Sequence, residues 1–259
     1  MGYKLIFILF LSVSIYAQDS IETKLIKSTD FKADRIVSVD NFGTTYYIQN
    51  NTFYKKTSSS SLSYNNFQLG DLTTVNTFNP LKINLFYQDF NTAIILDNRL
   101  AEIFKIDFNA VIPYKNITHI STGFDNTIWI FNQDSQQLEL YNYKTNKTQA
   151  RSLPISSKIL DLKSNYNNVW LLTEEYLYQY NYFGNLLNKT ANNGYTKMVE
   201  NNNTVVLKKG TDLYMFRTDN QTVTPILLPN LLTNAFFVTN ETLYIYHDQT
   251  LQEFQLKTN

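Results

Sequence analysis

Two imidazoles are the only side chains in the 259-residue chain whose ordinary pKa would carry protons near neutral pH. His119 lies within an apolar strand, where a structural role is expected, and His247 precedes Asp248 in an expected exposed turn. Neither has a neighbouring His or a metal-ligand spacing. Glycoside hydrolysis needs two carboxylates across the scissile bond. Asp40, Asp89, Asp125, Asp161 and Glu174 all fall at expected strand ends or turns, where acids are ordinary turn formers. The stretch Ser121–Trp129 is superficially similar to the Asp-box of sialidases, but its Asp-to-Gly order is reversed. A sialidase also needs an arginine cluster, whereas Arg35, Arg99, Arg151 and Arg217 are scattered. No nucleophile elbow surrounds any Ser, although a triad assembled from distant residues stays open. Asp97-Asn98 and Asp125-Asn126 supply only two adjacent oxygen side chains each, too few for a calcium loop.

Composition narrows the chemistry further. There is no Cys, which excludes disulfides, Cys-ligated zinc, iron–sulfur clusters and thiol catalysis. Only 7 Gly are present, and no glycine-rich phosphate loop. With 22 basic and 22 acidic residues the chain has no global field for nucleic acid. The residues therefore assign no catalytic, cofactor-binding or metal-ligating position, and a non-enzyme without cofactor is expected.

The first residues read as an address. Lys4 precedes the apolar run Leu5–Val13, and Ser14-Ile15-Tyr16-Ala17 then meets the polar Gln18-Asp19-Ser20. A basic start, a short apolar run and a small residue before a polar boundary describe a secretory signal peptide, cut after Ala17. The run falls short of the roughly 20 residues that span a bilayer. Residues 1–17 are expected to be the signal and residues 18–259 the mature domain, exported to periplasm or cell exterior and not membrane-spanning once cut. The usual bacterial lipid anchor is excluded, because no Cys stands at the boundary.

Positioning falls to a repeated pair of strands. The pairs are Thr44–Ile48 with Thr52–Lys56, Thr92–Leu96 with Leu100–Ile106, and Thr127–Phe131 with Gln137–Tyr143. Val169–Thr173 with Tyr176–Tyr182, Thr204–Lys208 with Asp212–Arg217, and Thr242–Tyr246 with Leu251–Leu256 complete the series. Apolar and aromatic runs separated by Asn, Asp and Gly turns are strand signals, and a period of about 40 residues is that of propeller blades. Each pair has an upstream strand: Arg35–Val39, Ile83–Tyr87, Ile117–Ile120, Ile159–Leu162, Tyr195–Val199 and Ala235–Val238. A fourth follows at Gln149–Leu153 and Val223–Leu228. The expected fold is an all-β single propeller of six four-stranded blades. The last repeat stops after three strands, so the orphan strand Ile21–Lys27 is expected to close it. Ser58–Ser61 reads as a flexible loop. Leu96, Leu100, Ile103 and Phe104 also suit a helical spacing, but the Asp97-Asn98 turn pair favours a hairpin.

Asp125–Ile130 resembles the strand motif of periplasmic sensor propellers, with a looser copy at Tyr166–Thr173. The segment Asn79–Phe90 running into Leu96-Asp97-Asn98, with Asp40–Gly43 and Tyr182–Asn185, resembles small exported β-propellers of Bacteroidota. That group includes the plug subunit of the type 9 secretion translocon. The resemblance implies a protein-interaction propeller with a protein partner in the cell envelope, and carries no functional residues with it. A carbohydrate-binding or carbohydrate-active propeller, using exposed Tyr and strand-end acids, is the alternative, and a detached sensor propeller a third.

Overall fold

The computed structural model describes residues 20–229, 233 and 235–257. The expected signal segment and its cleavage point at Ala17 lie outside them. The described strands form six separate antiparallel sheets of four strands each. The inner strands of successive sheets pack side by side around a central channel. Blades 1 to 5 run from inner to outer strand in chain order, spanning Arg35–Tyr64, Thr74–Asp107, Ile117–Arg151, Ile159–Ala191 and Lys197–Ile226. The chain is thus a six-bladed β-propeller.

Burial explains why the middle strands are the legible ones. In blade 3 every residue of Thr127–Asn132 is buried, whereas the outer strand Lys147–Arg151 alternates between exposed and half-buried. A blade is covered on both faces by its neighbours, so its central strands are nearly continuous apolar runs. The buried apolar residues fall into six clusters, and each lies between two adjacent blades. Trp170 is wholly buried between blades 4 and 5, beside Val205, Leu207 and Phe216.

Turns are made largely with asparagine. Asn50 and Asn51 both have positive φ, as do Asn202 and Asn203, and Asp248 and Gln249. Two left-handed residues in a two-residue hairpin loop match the twist of the flanking strands. Asn tolerates this conformation better than most residues, which is how so glycine-poor a chain turns so often. Three loops share another device, in which one side-chain oxygen accepts the backbone N–H groups two and four residues on. Asp40 takes those of Phe42 and Thr44, Asp97 those of Arg99 and Ala101, and Asn181 those of Phe183 and Asn185.

Blade 2 departs from the sequence expectation. Ile83–Tyr87 is its second strand, Thr92–Leu96 its third and Glu102–Asp107 its outer one. The inner strand is Thr74–Asn76, whose three residues show no apolar periodicity. The helical alternative there is excluded: Leu100 has φ 63°, a left-handed residue that no right-handed helix continues through. Of the Ser58–Ser61 run, the first three residues form the exposed turn into the outer strand. Thr57 donates its N–H to the Ser60 carbonyl at 2.8 Å, and Ser61 already begins the outer strand Ser61–Tyr64.

The sixth blade is completed by the other end of the chain. Glu22–Asp30 pairs antiparallel with Thr250–Lys257, from Glu22 opposite Lys257 to Asp30 opposite Thr250. The closing strand is mostly exposed, so its hold is the backbone ladder together with buried Ile21, which bridges to Ile226 of blade 5. Tyr246 of blade 6 secures the next seam. Its hydroxyl accepts the Ala33 N–H at 3.2 Å and donates to the Ala33 carbonyl at 2.7 Å. Deleting residues 20–30 leaves Thr250–Lys257 as a bare pairing edge. Loss of soluble monomer is expected by size-exclusion chromatography; a monomer with unchanged Tm would contradict this closure.

Candidate docking face and central channel

The antiparallel order puts the loops after the first and third strands of each blade on one face, and the remaining loops on the other. The first face carries a set of contacting rings. Phe78, from the first loop of blade 2, meets Tyr166 of blade 4 edge-on at 5.0 Å. Phe124 of blade 3 meets the same tyrosine at 5.8 Å and Tyr182 at 6.0 Å. Tyr182 in turn meets Phe183 at 5.8 Å. Phe183 and Phe124 are 76% and 54% exposed and turned to solvent, while Tyr182 is half-buried against the cluster between blades 3 and 4. Phe42 of blade 1, 94% exposed, stands on the same face.

The turns themselves raise these rings. Asn76 accepts the N–H of Phe78, Asp40 that of Phe42 and Asn181 that of Phe183. In each case the Phe is two residues beyond the accepting side chain, at a loop tip. Beyond blade 4 the same face is amide-rich. Asn165 donates to Asn203 at 3.0 Å, and Asn202 to Asn240 at 3.5 Å, linking the first loops of blades 4, 5 and 6.

The central channel has a volume of about 690 Å³ and is lined by residues of blades 1, 2, 4, 5 and 6. Asp161 sits within the inner strand of blade 4, not at a strand end as expected from sequence. A register shift between Ile159 and Asp161 turns it toward blade 5, where it accepts the Met198 N–H at 2.9 Å as well as Lys163 Nζ at 2.9 Å. Arg35 donates to the Thr73 carbonyl at 2.9 Å and holds blades 1 and 2 together. Asp40 and Asp125 lie on the aromatic face, Asp89 and Glu174 on the opposite one, and no hydrogen bond joins any two of these acids. Arg99, Arg151 and Arg217 are on blades 2, 3 and 5, so no arginine cluster forms.

The histidines are placed on opposite blades of the ring. His119, on blade 3, is half-buried beside a second cavity, and its Nδ1 pairs with Thr118 at 3.0 Å. Burial depresses its pKa, the Asp161 charge opposes that, and Lys163 adds to it, leaving it below the ordinary value. His247 is not the exposed turn residue expected from sequence. It ends the strand Thr242–His247, is half-buried at the channel, and pairs through Nε2 with Asp248 at 2.8 Å. Among the described residues no group of three or more His, Asp or Glu is arranged to hold a metal. Asp97 is spent on its own turn, on Arg99 and Ala101, and Asp125 on Asn126 beside it and on Lys82 of blade 2.

A buried ion pair went unnoticed in the sequence. Lys115, in the link from blade 2 to blade 3, donates to Glu139 at 2.6 Å, and both are almost completely buried. Asn132 and Thr148 also donate to Glu139. Burial pushes the Glu139 carboxyl up, but the bonds from Lys115, Thr148 and Asn132 and the Lys115 charge outweigh it and hold the pKa below the ordinary value. The one available signal was an acid inside the apolar run Gln137–Tyr143. Removing the lysine leaves the buried carboxylate with Asn132, Thr148 and the half-exposed Arg151 guanidinium at 3.7 Å, so Lys115→Met should cost about 3 kcal/mol, the lower end for a broken buried pair, measured by chemical denaturation. A folded pKa below the unfolded one means stability present at neutral pH and lost as pH falls from the ordinary carboxyl value of 4.5 through the folded pKa. The Lys115→Met cost should therefore shrink in acid.

Glu200 has the opposite sign. It accepts the Asn203 N–H at 3.0 Å and the Asn165 amide at 2.8 Å, but burial outweighs these bonds and raises its pKa. Its ionisation thus opposes folding, and stability falls as pH rises from the unfolded toward the folded pKa. Glu200→Gln keeps an acceptor and removes the charge. The variant should melt higher than wild type at pH 7, with the gain vanishing in acid, as followed by thermal denaturation across pH.

In sequence, no protein-family model and no curated protein matches the chain. Solved structures do match in fold. Virginiamycin B lyase from Staphylococcus aureus superposes with TM-score 0.60 at 9% identity, over 84% of this chain and 78% of that one. The Pan2 WD40 domain of Neurospora crassa gives 0.59 at 9% identity, over 88% and 76%. A chain of the mitotic checkpoint complex gives 0.58 at 8% identity, over 98% of each. A lyase, a WD40 domain and a chain of a checkpoint complex share this frame, so the chain is similar to each in architecture and tied by identity to none.

Proposed function

We propose that the chain is a non-enzymatic, exported interaction propeller that docks on a protein partner in the cell envelope. The observation that carries this reading is the set of solvent-facing rings joined across blades 2, 3 and 4. Exposed aromatics in mutual contact form a surface already rigid before binding, and rigid aromatic anchors dominate the energetics of protein interfaces. The opposite face also exposes apolar side chains, among them Phe67, Phe90, Ile112 and Leu153, but no ring contact connects Phe67 and Phe90. Scattered apolar residues are normal on any surface, whereas a contiguous patch marks a binding site. Export is supported by the signal-like first 17 residues. The type 9 secretion translocon is the partner that the sequence resemblance favours.

Purification from the native envelope, with mass spectrometry of the intact assembly, tests the reading directly. Recovery of the chain with a stoichiometric protein partner is expected, and recovery only as a free monomer with a saturable glycan ligand would replace it. Function without proton transfer also sets an expectation for the imidazoles. The double variant His119→Gln and His247→Gln, once shown to fold, should retain partner binding, because neither side chain is among the rings of the candidate docking face. A folded variant that bound its partner but lost a measurable turnover would reveal an enzyme.

A further inference from the structure

A hoop of side-chain hydrogen bonds runs beneath the ring-bearing face and crosses every seam. Ser38 of blade 1 pairs with Thr77 of blade 2 at 2.6 Å, and the Asn76 amide of blade 2 donates to Ser121 of blade 3 at 3.1 Å. Ser164 of blade 4 pairs with the same Ser121 hydroxyl at 2.8 Å. Asn165 donates to Glu200 of blade 5 at 2.8 Å, and Asn201 accepts the Asn240 N–H of blade 6 at 3.0 Å. Thr239 closes the hoop by donating to the Val39 carbonyl of blade 1 at 2.5 Å. All of these residues stand at or beside the ends of inner strands. Ser121 and Ser164 are buried, so they act on the face only through the side chains they bond.

Two members of the hoop also hold the loop that follows them. Asn76 Oδ1 accepts the Phe78 N–H at 3.0 Å while its amide crosses to blade 3. Asn165 Oδ1 accepts the N–H groups of Asn167 and Asn168 at 2.9 and 2.8 Å while its amide crosses to blade 5. Phe78 is carried by the first of these turns and Tyr166 by the second. An Asn side chain bonded through both its oxygen and its amide has one orientation, so the seam and the turn are fixed together. Released at the seam, the same side chain is free to rotate out of the turn. The Phe183 turn differs: Asn181 accepts the N–H groups of Phe183 and Asn185, and among the described residues it makes no bond across a seam. We propose that Asn76, Ser121, Asn165 and Glu200 are positioning residues of the ring-bearing face, through which each neighbouring blade sets the turns that carry Phe78 and Tyr166. This positioning belongs to the free protein and holds whether or not a partner docks.

The test is amide hydrogen exchange, read residue by residue by NMR on the purified protein. Ser121→Ala removes the hydroxyl that Asn76 reaches and alters no loop of the face. Exchange at the Phe78 N–H should rise about fivefold, as one lost hydrogen bond implies, while the Phe183 N–H keeps its wild-type rate. Glu200→Ala should produce the same rise at Asn167, and Glu200→Gln, which keeps an acceptor for Asn165, should restore the wild-type rate. Unchanged exchange at Phe78 in folded Ser121→Ala, or an equal rise at Phe183, would overturn the proposal, and so would Glu200→Gln behaving as Glu200→Ala does. If Ser121→Ala does not fold, the two Glu200 variants decide alone. Partner binding by the same variants separates this positioning from the docking reading. A selective rise at Phe78 with undiminished binding would leave the positioning in place and count against this face as the docking site.

Discussion

A blade cannot bury itself, and that constraint governs the rest of the molecule. Each four-stranded sheet has two apolar faces and finds cover for them only in its neighbours, so every buried cluster lies at a seam between blades. A row of such sheets is stable only if its two ends meet. They meet through Glu22–Asp30, which lends the outer strand to a blade whose other three strands come from the opposite end of the chain. The closing strand contributes little apolar burial. Its ladder of backbone hydrogen bonds, the buried Ile21 and the Tyr246 hydroxyl supply the hold instead. Closure also places the first described residues and Lys257 on the face that carries the rings.

Polar chemistry in this protein is mostly structural, and it is concentrated at seams. Asp161 and Arg35, which by residue type could serve catalysis, join blades 4 to 5 and 1 to 2 through backbone groups. The Lys115–Glu139 pair does the same between the blade 2–3 link and the middle of blade 3, at the cost of burying two charges. Such groups are spent on holding neighbouring blades together.

On the loops the same Asx device does two things. It satisfies backbone N–H groups at a tight turn, and it fixes the following phenylalanine outward, as at Asp40–Phe42, Asn76–Phe78 and Asn181–Phe183. The direction in which the Phe leaves the chain is therefore set by the same bond that tightens the turn.

The fold was legible in the sequence because the central strands of a blade are buried on both faces, and continuous apolar runs broken by Asn and Asp turns are hard to mistake. The period, the blade count and the closing orphan strand all followed from that. Thr74–Asn76 did not, since an inner strand of three residues facing a channel has no periodicity to display. Turn chemistry was legible too, and the acids at Asp40 and Asp97 were rightly read as turn formers. Asp161 and His247 were misplaced, because a bulge and a pairing register decide where a side chain points, and neither is written locally. The buried partner of Glu139 lies 24 residues away, and the rings of Phe78 and Tyr166 meet across two blade boundaries. Sequence by itself determined which segments become strands and turns, through short-range periodicity and backbone preference. Tertiary structure alone decided which loops share a face and which side chains touch, because ring closure brings together residues that the chain keeps far apart.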